Sequence, residues 1–269
     1  MRISQLPRSA VFLVGFFLLA SLLAPLPYAV IEPGEGQDVL GSVIKISHQR
    51  TYPTTGKLLL TTVYATSPGS ALFGIDVLRS WLSASSIVLP RDVLYPPGQS
   101  SKEIDKANIA DMVGSQQFAT VAALNYLGFQ VTKQSAASKD ATKTTRYLFP
   151  FPVTITLKDT GGPSGGLIFA LGVVLKLTPE DLLKGRVVAG TGTIGADGVI
   201  GPIGGIDDKI IAAKHAGATL FLAPVANCAD VTRIPSGITV YSVNTLGEAV
   251  LVLKDSKNVI PHCTWQRNG

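Results

Sequence analysis

Two glycine-rich turns, each followed by a segment of helical length, constrain this chain most strongly. The first is the run GGPSGG at positions 161–166, which holds Ser164, and the second is the GG pair at 204–205, which precedes Lys209. A serine hydroxyl is a weak nucleophile until a base removes its proton, and a lysine amine becomes such a base when burial keeps it neutral. The two turns therefore predict a serine-lysine hydrolase site, with Ser164 as the nucleophile and Lys209 as the base.

The helix predicted from residue 206 onward decides whether Lys209 can be buried. On a helical wheel of about 100° per residue, Lys209 lies between Ala213 and Ala216 on an apolar stripe, whereas Asp208 points away from it. Lys214 lies off the stripe and provides a natural comparison. Lysines also snorkel at the edge of ordinary amphipathic helices, so the serine turn is what favours a catalytic interpretation of Lys209.

The turn around Ser164 is expected to supply an oxyanion site. Backbone N–H groups at the start of a helix favour negative charge, and glycines permit both a sharp turn and the close approach of a peptide carbonyl. We assign Gly162, Pro163 and Gly165 to this backbone site. A cluster of Gly, Pro and Ser by itself predicts only a turn, so the catalytic interpretation of this motif depends on the lysine helix.

The composition excludes several classes of protein. With 269 residues, 46% hydrophobic and 15% charged, the chain can bury one core together with a small appendage. It contains no Gly-x-x-x-x-Gly-Lys-Ser/Thr loop for ATP phosphates, so we expect hydrolysis without ATP. The net charge of +5 is scattered along the sequence, and we therefore expect no nucleic-acid partner.

The cysteines and histidines do not form a metal-binding pattern. Only Cys228 and Cys263 occur, and the three histidines are spread along the chain, so we expect neither a metal nor another cofactor. A disulfide between Cys228 and Cys263 is permitted if this part of the chain lies outside the cytoplasm. Two free buried thiols are the alternative, and the spacing of the cysteines does not decide between them.

The N-terminal region contains an uncharged apolar run over residues 11–31. Arg2 and Arg8 precede it and Glu32 follows it, which predicts a signal-anchor transmembrane helix over 11–31. Residues 1–10 would then be cytoplasmic, and the rest of the chain would be extracytoplasmic at the cell membrane. A signal peptide cleaved near residues 27–29 is the alternative, and Pro25 and Pro27 count against a straight helix.

Residues 36–150 read as the N-terminal part of the extracytoplasmic region. The β-branched and apolar segments 41–46 and 57–65 predict a hairpin, and residues 70–83 and 102–127 predict helices. The second helix has an expected core-facing stripe that consists of Ile109, Met112, Phe118, Val121 and Leu124. The small polar residues of 132–146 show no periodicity and predict a loop.

Residues 151–255 show the alternating order of an α/β (α+β) domain, with a tail over 256–269. Strands are expected at 153–157, 186–194, 198–203, 219–223 and 238–243, and helices at 167–177, 206–216 and 245–254. One strand leads into the serine turn and another leads towards the lysine helix.

These motifs and their order resemble the proteolytic domain of the Lon protease family. The resemblance rests on the serine turn, the lysine helix, the intervening segments VVAGTGTIG at 187–195 and GVIGPI at 198–203, and the following segments AGATLFLAP at 216–224 and VNTLGEAV at 243–250. It implies a ribosomal protein S5 domain 2-like fold, serine endopeptidase activity on unfolded or membrane-proximal polypeptides, and a homo-oligomeric ring. Thr191 matches the family threonine whose hydroxyl orients the catalytic lysine, with a plain strand threonine as the alternative.

The upstream segments resemble bacterial membrane-anchored Lon-like proteases that lack the ATPase. In such proteins a PDZ module often precedes the catalytic part, but the corresponding gap in this chain is too short for one. The acidic residue that commonly stands three positions before the serine in ATP-dependent Lon is replaced here by Gly161, as in the ATPase-less branch. Asp159 is a potential substitute, although its spacing does not show it.

Two other functions compete with a protease. A small-molecule kinase of the galactokinase and homoserine kinase type would use the glycine-rich turn to hold a phosphate. A catalytically silent binding module at the membrane surface would use neither Ser164 nor Lys209. Acylation of Ser164 by a covalent probe would separate the protease from both, and nucleotide binding would favour the kinase.

Overall fold

The structure is a computed structural model that describes residues 7–83, 85–95, 98–137, 143–157, 160–254 and 260–263. The chain divides into two compact units. The smaller unit comprises Met1–Glu32 and Tyr64–Ile104, and the larger unit comprises Pro33–Val63 and Asp105–Gly269.

The helices are distributed over both units. They are α1 Arg8–Leu23, α2 Gly74–Leu82, α3 Arg91–Leu94, α4 Ser101–Tyr126, α5 Gly166–Leu177, α6 Ile206–His215, α7 Leu246–Leu253 and a 3₁₀ helix Val225–Asp230.

The strands alternate with these helices in the second half of the chain. They are β1 Pro25–Leu26, β2 Tyr28–Asp38, β3 Ile44–Ile46, β4 Lys57–Ala65, β5 Leu72–Phe73, β6 Ile87–Pro90, β7 Thr132–Ala137, β8 Lys143–Leu148, β9 Val153–Ile155, β10 Val187–Gly190, β11 Thr193–Ile194, β12 Ile200–Gly201, β13 Leu220–Pro224 and β14 Thr239–Val243.

A parallel sheet forms the centre of the larger unit. The order of its parallel strands is β14-β13-β10-β4, and β10 runs parallel to both β4 and β13, with Val188 opposite Leu58 and Leu220. β13 is parallel to β14 and is buried along its whole length. Strands covered by helices on both faces read as continuous apolar runs, as β13 does. β2 and β4 each begin in one unit and end in the other.

Helices cover both faces of this sheet. One face packs Val188 and Leu222 in a cluster with α4, α5 and α7, and every residue of α5 except Lys176 is buried. The other face packs Ala189 and Phe221 against the apolar side of α6. The mixed α/β class predicted from the sequence is confirmed, and the bounds of α5, α6, α7, β13 and β14 agree with the expected segments within one or two residues.

The predicted hairpin of segments 41–46 and 57–65 is wrong. Both segments contain strands, but β3 pairs antiparallel with β9, and β4 pairs in parallel with β10. The reason lies in β4, whose Leu58, Leu59 and Leu60 are all buried. A strand with an uninterrupted apolar run belongs in the middle of a covered sheet rather than in a half-exposed hairpin.

The predicted loop over 132–146 is also wrong. β7 and β8 form a two-stranded antiparallel ribbon, with Thr132 opposite Leu148 and Gln134 opposite Arg146. Residues 138–142 lie outside the described residues. Small polar side chains do not show the alternation that identifies a strand, whereas backbone pairing does not require it. Most of the predicted 256–269 tail also lies outside the described residues, as does Asp159.

The apolar run 11–31 does not form one helix, so the predicted bounds of that helix are wrong. α1 ends at Leu23, and Ala29, Val30 and Ile31 are buried within β2. Pro25 and Pro27 account for the change, because proline lacks an N–H and disfavours the helical conformation of the residue before it. Among the described residues, no helix combines the length and the apolar composition needed to cross a bilayer.

The long helix α4 is where the sequence predicts it, but its apolar stripe is only partly buried. Met112, Val121 and Leu124 are buried, whereas Ile109 and Phe118 are exposed. The expected core-facing role of Ile109 and Phe118 is therefore wrong. The N-terminal half of α4 is exposed over residues 105–111, and periodicity alone does not show where a helix leaves the core.

Cys228 and Cys263 are joined by a disulfide, with a Cα–Cα distance of 5.1 Å. The bridge connects the 3₁₀ helix to the segment that pairs with β14 through His262 and Tyr241. Each cysteine packs at the cluster beneath α6. The bridge therefore ties the last described residues to the layer that carries Lys209.

Removing this disulfide should destabilise the protein by about 3–4 kcal/mol, because the bridge closes a loop with a sequence separation of 35 residues. We expect Cys228→Ser to lower the urea midpoint of unfolding. The oxidised wild type should move to the same midpoint when a reductant is added, whereas the variant should not respond. A wild type that is indifferent to reductant would contradict this expectation.

Candidate active site

The turn that carries Ser164 is held against α4 by two hydrogen bonds. The N–H of Gly162 donates to the carbonyl of Asn108 at 2.9 Å, and the hydroxyl of Ser115 donates to the carbonyl of Pro163 at 2.9 Å. Gly162 has a φ of +85°, a left-handed conformation that favours glycine. The chain therefore reverses sharply just before Ser164, which is half-buried at the entrance to α5.

The other side of the turn is bonded to the segment that follows β10. The N–H of Gly192 donates to the carbonyl of Ser164 at 2.9 Å, and the N–H of Leu167 donates to the carbonyl of Gly192 at 3.0 Å. A Cβ atom at Gly166 would lie 2.9 Å from the backbone nitrogen of Ile194. The close approach of these two backbones therefore requires glycine at position 166.

Lys209 lies in the first turn of α6, and its side chain is only 3% exposed. Its Nζ donates to Oγ1 of Thr191 at 3.2 Å. Burial lowers the pKa of Lys209 from its ordinary value to about 8. The partial positive charge at the helix N-terminus also disfavours an ammonium at this position. A substantial fraction of the amine is therefore neutral near physiological pH.

Thr191 connects the lysine to the serine turn. It is completely buried, and its Oγ1 donates to the carbonyl oxygen of Ser164 at 3.0 Å while it accepts from Lys209. The hydroxyl has one proton and two lone pairs, so it satisfies both partners at once. The structure thus brings three predicted site residues, Ser164, Thr191 and Lys209, into one connected set.

The predicted oxyanion residues have different roles in the structure. Pro163 has no N–H, and the N–H of Gly162 is already used by Asn108. Neither the N–H of Ser164 nor that of Gly165 donates to an acceptor within the described part of the chain. Gly162 and Pro163 therefore shape the turn, and the N–H groups of Ser164 and Gly165 are the ones available for an oxygen that develops negative charge.

The sequence analysis missed Asn227, which holds the segment leading into α6. Its side chain is 3% exposed, accepts from the N–H of Ile203 at 2.9 Å and donates to the carbonyl of Ile203 at 2.9 Å. The carboxylate of Asp207 accepts from the N–H of Thr232 at 3.0 Å and fastens the first turn of the helix. No local pattern marks an asparagine in a turn as a clamp on a distant backbone, so the sequence offered no signal for it.

Two other charged residues of α6, Asp208 and Lys214, differ in their burial. Asp208 was expected to point away from the apolar stripe, yet it is only 2% exposed. Lys214 is half-buried and donates to the carbonyl of Gly237 at 3.2 Å, far along the helix from Lys209. Within the described residues, no group of three or more His, Cys, Asp and Glu side chains is placed to hold a metal ion.

The buried amine of Lys209 should cost stability. Between its native pKa of about 8 and an unfolded value of about 10.4, the unfolded chain binds more protons, so the free energy of unfolding rises with pH in that window. Below pH 8 the cost is complete, on the order of 3 kcal/mol. We expect Lys209→Met to be more stable than wild type at pH 7, with a difference that shrinks as the pH approaches 10.

Urea unfolding of both chains from pH 7 to pH 10 would measure this difference. Lys214→Met is the matched control, because Lys214 lies on the same helix and is not enclosed. A pH-independent difference between wild type and Lys209→Met would show that packing, rather than ionisation, sets the cost.

Asn227→Ala should destabilise the larger unit, because it leaves the part-buried N–H and carbonyl of Ile203 without their partner, at about 0.5–1.5 kcal/mol for each hydrogen bond. Thermal unfolding would measure the loss. Asn125→Ala is the control, since Asn125 is exposed and donates to a backbone carbonyl at a longer 3.4 Å. Equal losses of thermal stability in the two variants would argue against a stabilising role of the Asn227 side chain.

The chain matches known proteases in sequence. Residues 103–253, more than half of the chain, match the model of the Lon protease (S16) C-terminal proteolytic domain. Lon protease 2 of Herpetosiphon aurantiacus is 40% identical over 93 residues, which cover 33% of this chain and 11% of that protein. Lon protease of Flavobacterium johnsoniae is 29% identical over 190 residues, which cover 69% of this chain and 22% of that protein.

Lon protease 2 of Bacillus subtilis is 35% identical over 91 residues, which cover 33% of this chain and 16% of that protein. The chain thus spans less than a quarter of the length of these relatives. The family match begins within α4, upstream of the segment on which the sequence resemblance rests. These similarities support a serine peptidase and confirm the predicted resemblance to the Lon proteolytic domain. The chain belongs to the Lon protease (S16) C-terminal proteolytic domain family.

Proposed function

We propose that this protein is an ATP-independent serine endopeptidase in which Ser164 attacks the peptide carbonyl and Lys209 accepts the proton of its hydroxyl. The observation that carries the proposal is the buried Lys209 amine, which is bonded through Thr191 to the Ser164 carbonyl. An amine held in a dry site with a lowered pKa is suited to act as a general base near neutral pH.

The proposed reaction begins when the neutral amine takes the proton from Oγ of Ser164 as that oxygen attacks the carbonyl carbon. One N–H of the amine is engaged by Thr191, so its lone pair can be turned towards the serine hydroxyl. The oxyanion of the tetrahedral intermediate would bind the N–H groups of Ser164 and Gly165 at the start of α5.

The ammonium form of Lys209 then returns its proton to the departing amine, and the C–N bond breaks. An acyl-enzyme ester on Ser164 remains. A water molecule attacks this ester with Lys209 again acting as the base, and the new carboxylic acid leaves as Ser164 regains its proton. The cycle consumes one water and needs no oxidant, reductant or metal ion.

The absence of an ATP-binding loop motif from these 269 residues supports ATP-independent action on unfolded or small polypeptides. We also propose that α1 attaches the protein to a membrane with the peptidase on the extracytoplasmic side. The exposed apolar side chains along α1 and the disulfide support this placement. A homo-oligomeric ring, which the resemblance implies, belongs to the same proposal.

The kinase alternative finds less support in this site. Phosphate is held best by cationic side chains and exposed N–H groups. Lys209 is buried with a lowered pKa, and its Nζ is directed to a threonine hydroxyl. A peptide carbonyl, which is uncharged until attack, fits these groups better than a phosphate does.

Ser164→Ala and Lys209→Met should each abolish hydrolysis of an unfolded polypeptide in the absence of ATP, with losses of roughly 1,000-fold or more. The double variant should lose little more than either single variant, because the two residues act as one unit. Release of new amino termini would measure the rate. Lys214→Met should retain full activity, and substantial turnover by either site variant would remove the proposed mechanism.

The rate should rise with pH through one ionisation near 8, because the neutral form of Lys209 is the active one. Well below that pH, kcat/KM should fall about tenfold per pH unit. Thr191→Val should lower kcat by on the order of 10-fold, since losing a hydrogen bond of about 1.5 kcal/mol misplaces the amine. Thr191→Ser retains the hydroxyl and should recover much of the rate. A flat profile between pH 6 and pH 9 would assign the base to another group.

A further inference from the structure

Helix α2 of the smaller unit turns its polar face towards a cavity and its apolar face outwards. Its polar face, with Asp76, Arg79 and Ser80, lines a cavity of about 620 Å³ that Glu32 and Ser86 also line. Its apolar face is turned outwards. The exposed side chains on this face are Ile75 (46%), Leu78 (42%), Trp81 (76%) and Leu82 (76%).

These four apolar residues form a single continuous strip on the helix. At about 100° per residue they occupy one side of the wheel, and the cavity-lining residues occupy the other. A helix on the surface of a water-soluble unit normally turns its apolar side towards the core. The strip Ile75, Leu78, Trp81 and Leu82 therefore indicates an apolar binding partner outside the unit, which is either lipid or protein.

The start of α2 is fastened to the end of α1. The N–H of Gly74 donates to the carbonyl of Ala24 at 3.1 Å, and β1 pairs with β5, which immediately precedes α2. A Cβ atom at Gly74 would lie 2.1 Å from the carbonyl oxygen of Ser21, so only glycine permits this approach. The apolar strip of α2 and the apolar surface of α1 thus belong to one cluster of elements within the smaller unit.

The character of α1 indicates what covers both surfaces. None of its residues is buried, and apolar side chains such as Phe12, Phe16 and Leu19 are exposed around the helix. A protein partner would cover one side of a helix and would select for a stripe. Apart from Arg8 at its first position, α1 carries no charge and is apolar on every side. Such a helix matches a lipid environment, which contacts every side alike.

We infer that α2 is an in-plane helix at the surface of a phospholipid bilayer, with the strip Ile75, Leu78, Trp81 and Leu82 at the boundary between headgroups and acyl chains. Trp81 suits this depth, because tryptophan is enriched at the interface between water and lipid. The inference rests on the membrane attachment included in the proposed function. It adds a second contact, which would hold the polar cavity on the water side of α2.

The emission of Trp81 provides a direct test in the full chain. The sequence has two tryptophans, so Trp265→Phe leaves Trp81 as the single reporter. The protein would be mixed with phosphatidylcholine vesicles, and flotation would first establish that it binds. We then expect acyl chains brominated near the headgroup to reduce Trp81 emission by at least about twofold relative to unbrominated lipid, since interfacial helices bury their apolar face in this layer.

Variants on the two faces of α2 separate insertion from mere proximity. The double variant Leu78→Ser, Leu82→Ser should reduce the quenching of Trp81 by about twofold or more, because it removes the apolar anchors beside the reporter. Ser80→Ala lies on the cavity side and should leave the quenching unchanged. Both proteins should hydrolyse a soluble peptide at the rate of the parent, which shows that the fold and the peptidase are intact.

The outcomes distinguish this inference from the proposed function. If the chain does not float with vesicles but still hydrolyses peptide, the membrane attachment fails, and the role of α2 fails with it, while the peptidase stands. If the chain floats but Trp81 is not quenched, only the role of α2 is overturned. A blue shift of Trp81 that depends on protein concentration in detergent, without quenching by lipid, would assign the strip to a second copy of the chain and would also overturn the inference.

Discussion

The burial of one amine, Nζ of Lys209, is the interaction on which the arrangement of the larger unit depends. An ammonium loses several kcal/mol when it leaves water without a charged partner, so it favours the neutral form instead. A buried neutral amine therefore requires a site from which water is excluded on every side. The two apolar layers on the central parallel sheet provide this exclusion, with α6 on one face and α5 on the other.

The orientation of the amine must also be fixed, because burial alone does not determine the direction of its hydrogen bonds. Thr191 emerges from the end of β10 between the two helices and bonds to both Lys209 and the Ser164 carbonyl. Asn227 and the Cys228–Cys263 disulfide fasten the segments on the α6 side. These ties stabilise the part of the fold that the lysine destabilises, which accords with the general observation that functional sites are strained and supported by their surroundings.

The sequence predicted the elements around the site well because their signals are local and strong. Apolar runs identify α5 and β13, and an apolar stripe that follows a glycine pair identifies α6, whatever the rest of the chain does. Partners in space were harder to predict. The pairing of β3 with β9 joins residues more than a hundred positions apart, and the clamp from Asn227 to Ile203 depends on how two turns meet. The ribbon β7–β8 was not predicted, because the side chains of its two strands do not alternate between apolar and polar.

The apolar run 11–31 shows most clearly what composition leaves undetermined. Its first part, up to Leu23, forms the exposed helix α1, and its last part, Ala29 to Ile31, is buried in a sheet. The hydrophobic effect drives both parts out of water but does not specify whether lipid or protein receives them. Pro25 and Pro27 impose the division, because a continuous helix cannot pass through them without losing backbone hydrogen bonds. The same reasoning applies to α2, whose amphipathic pattern predicts a helix but does not say which face meets the core.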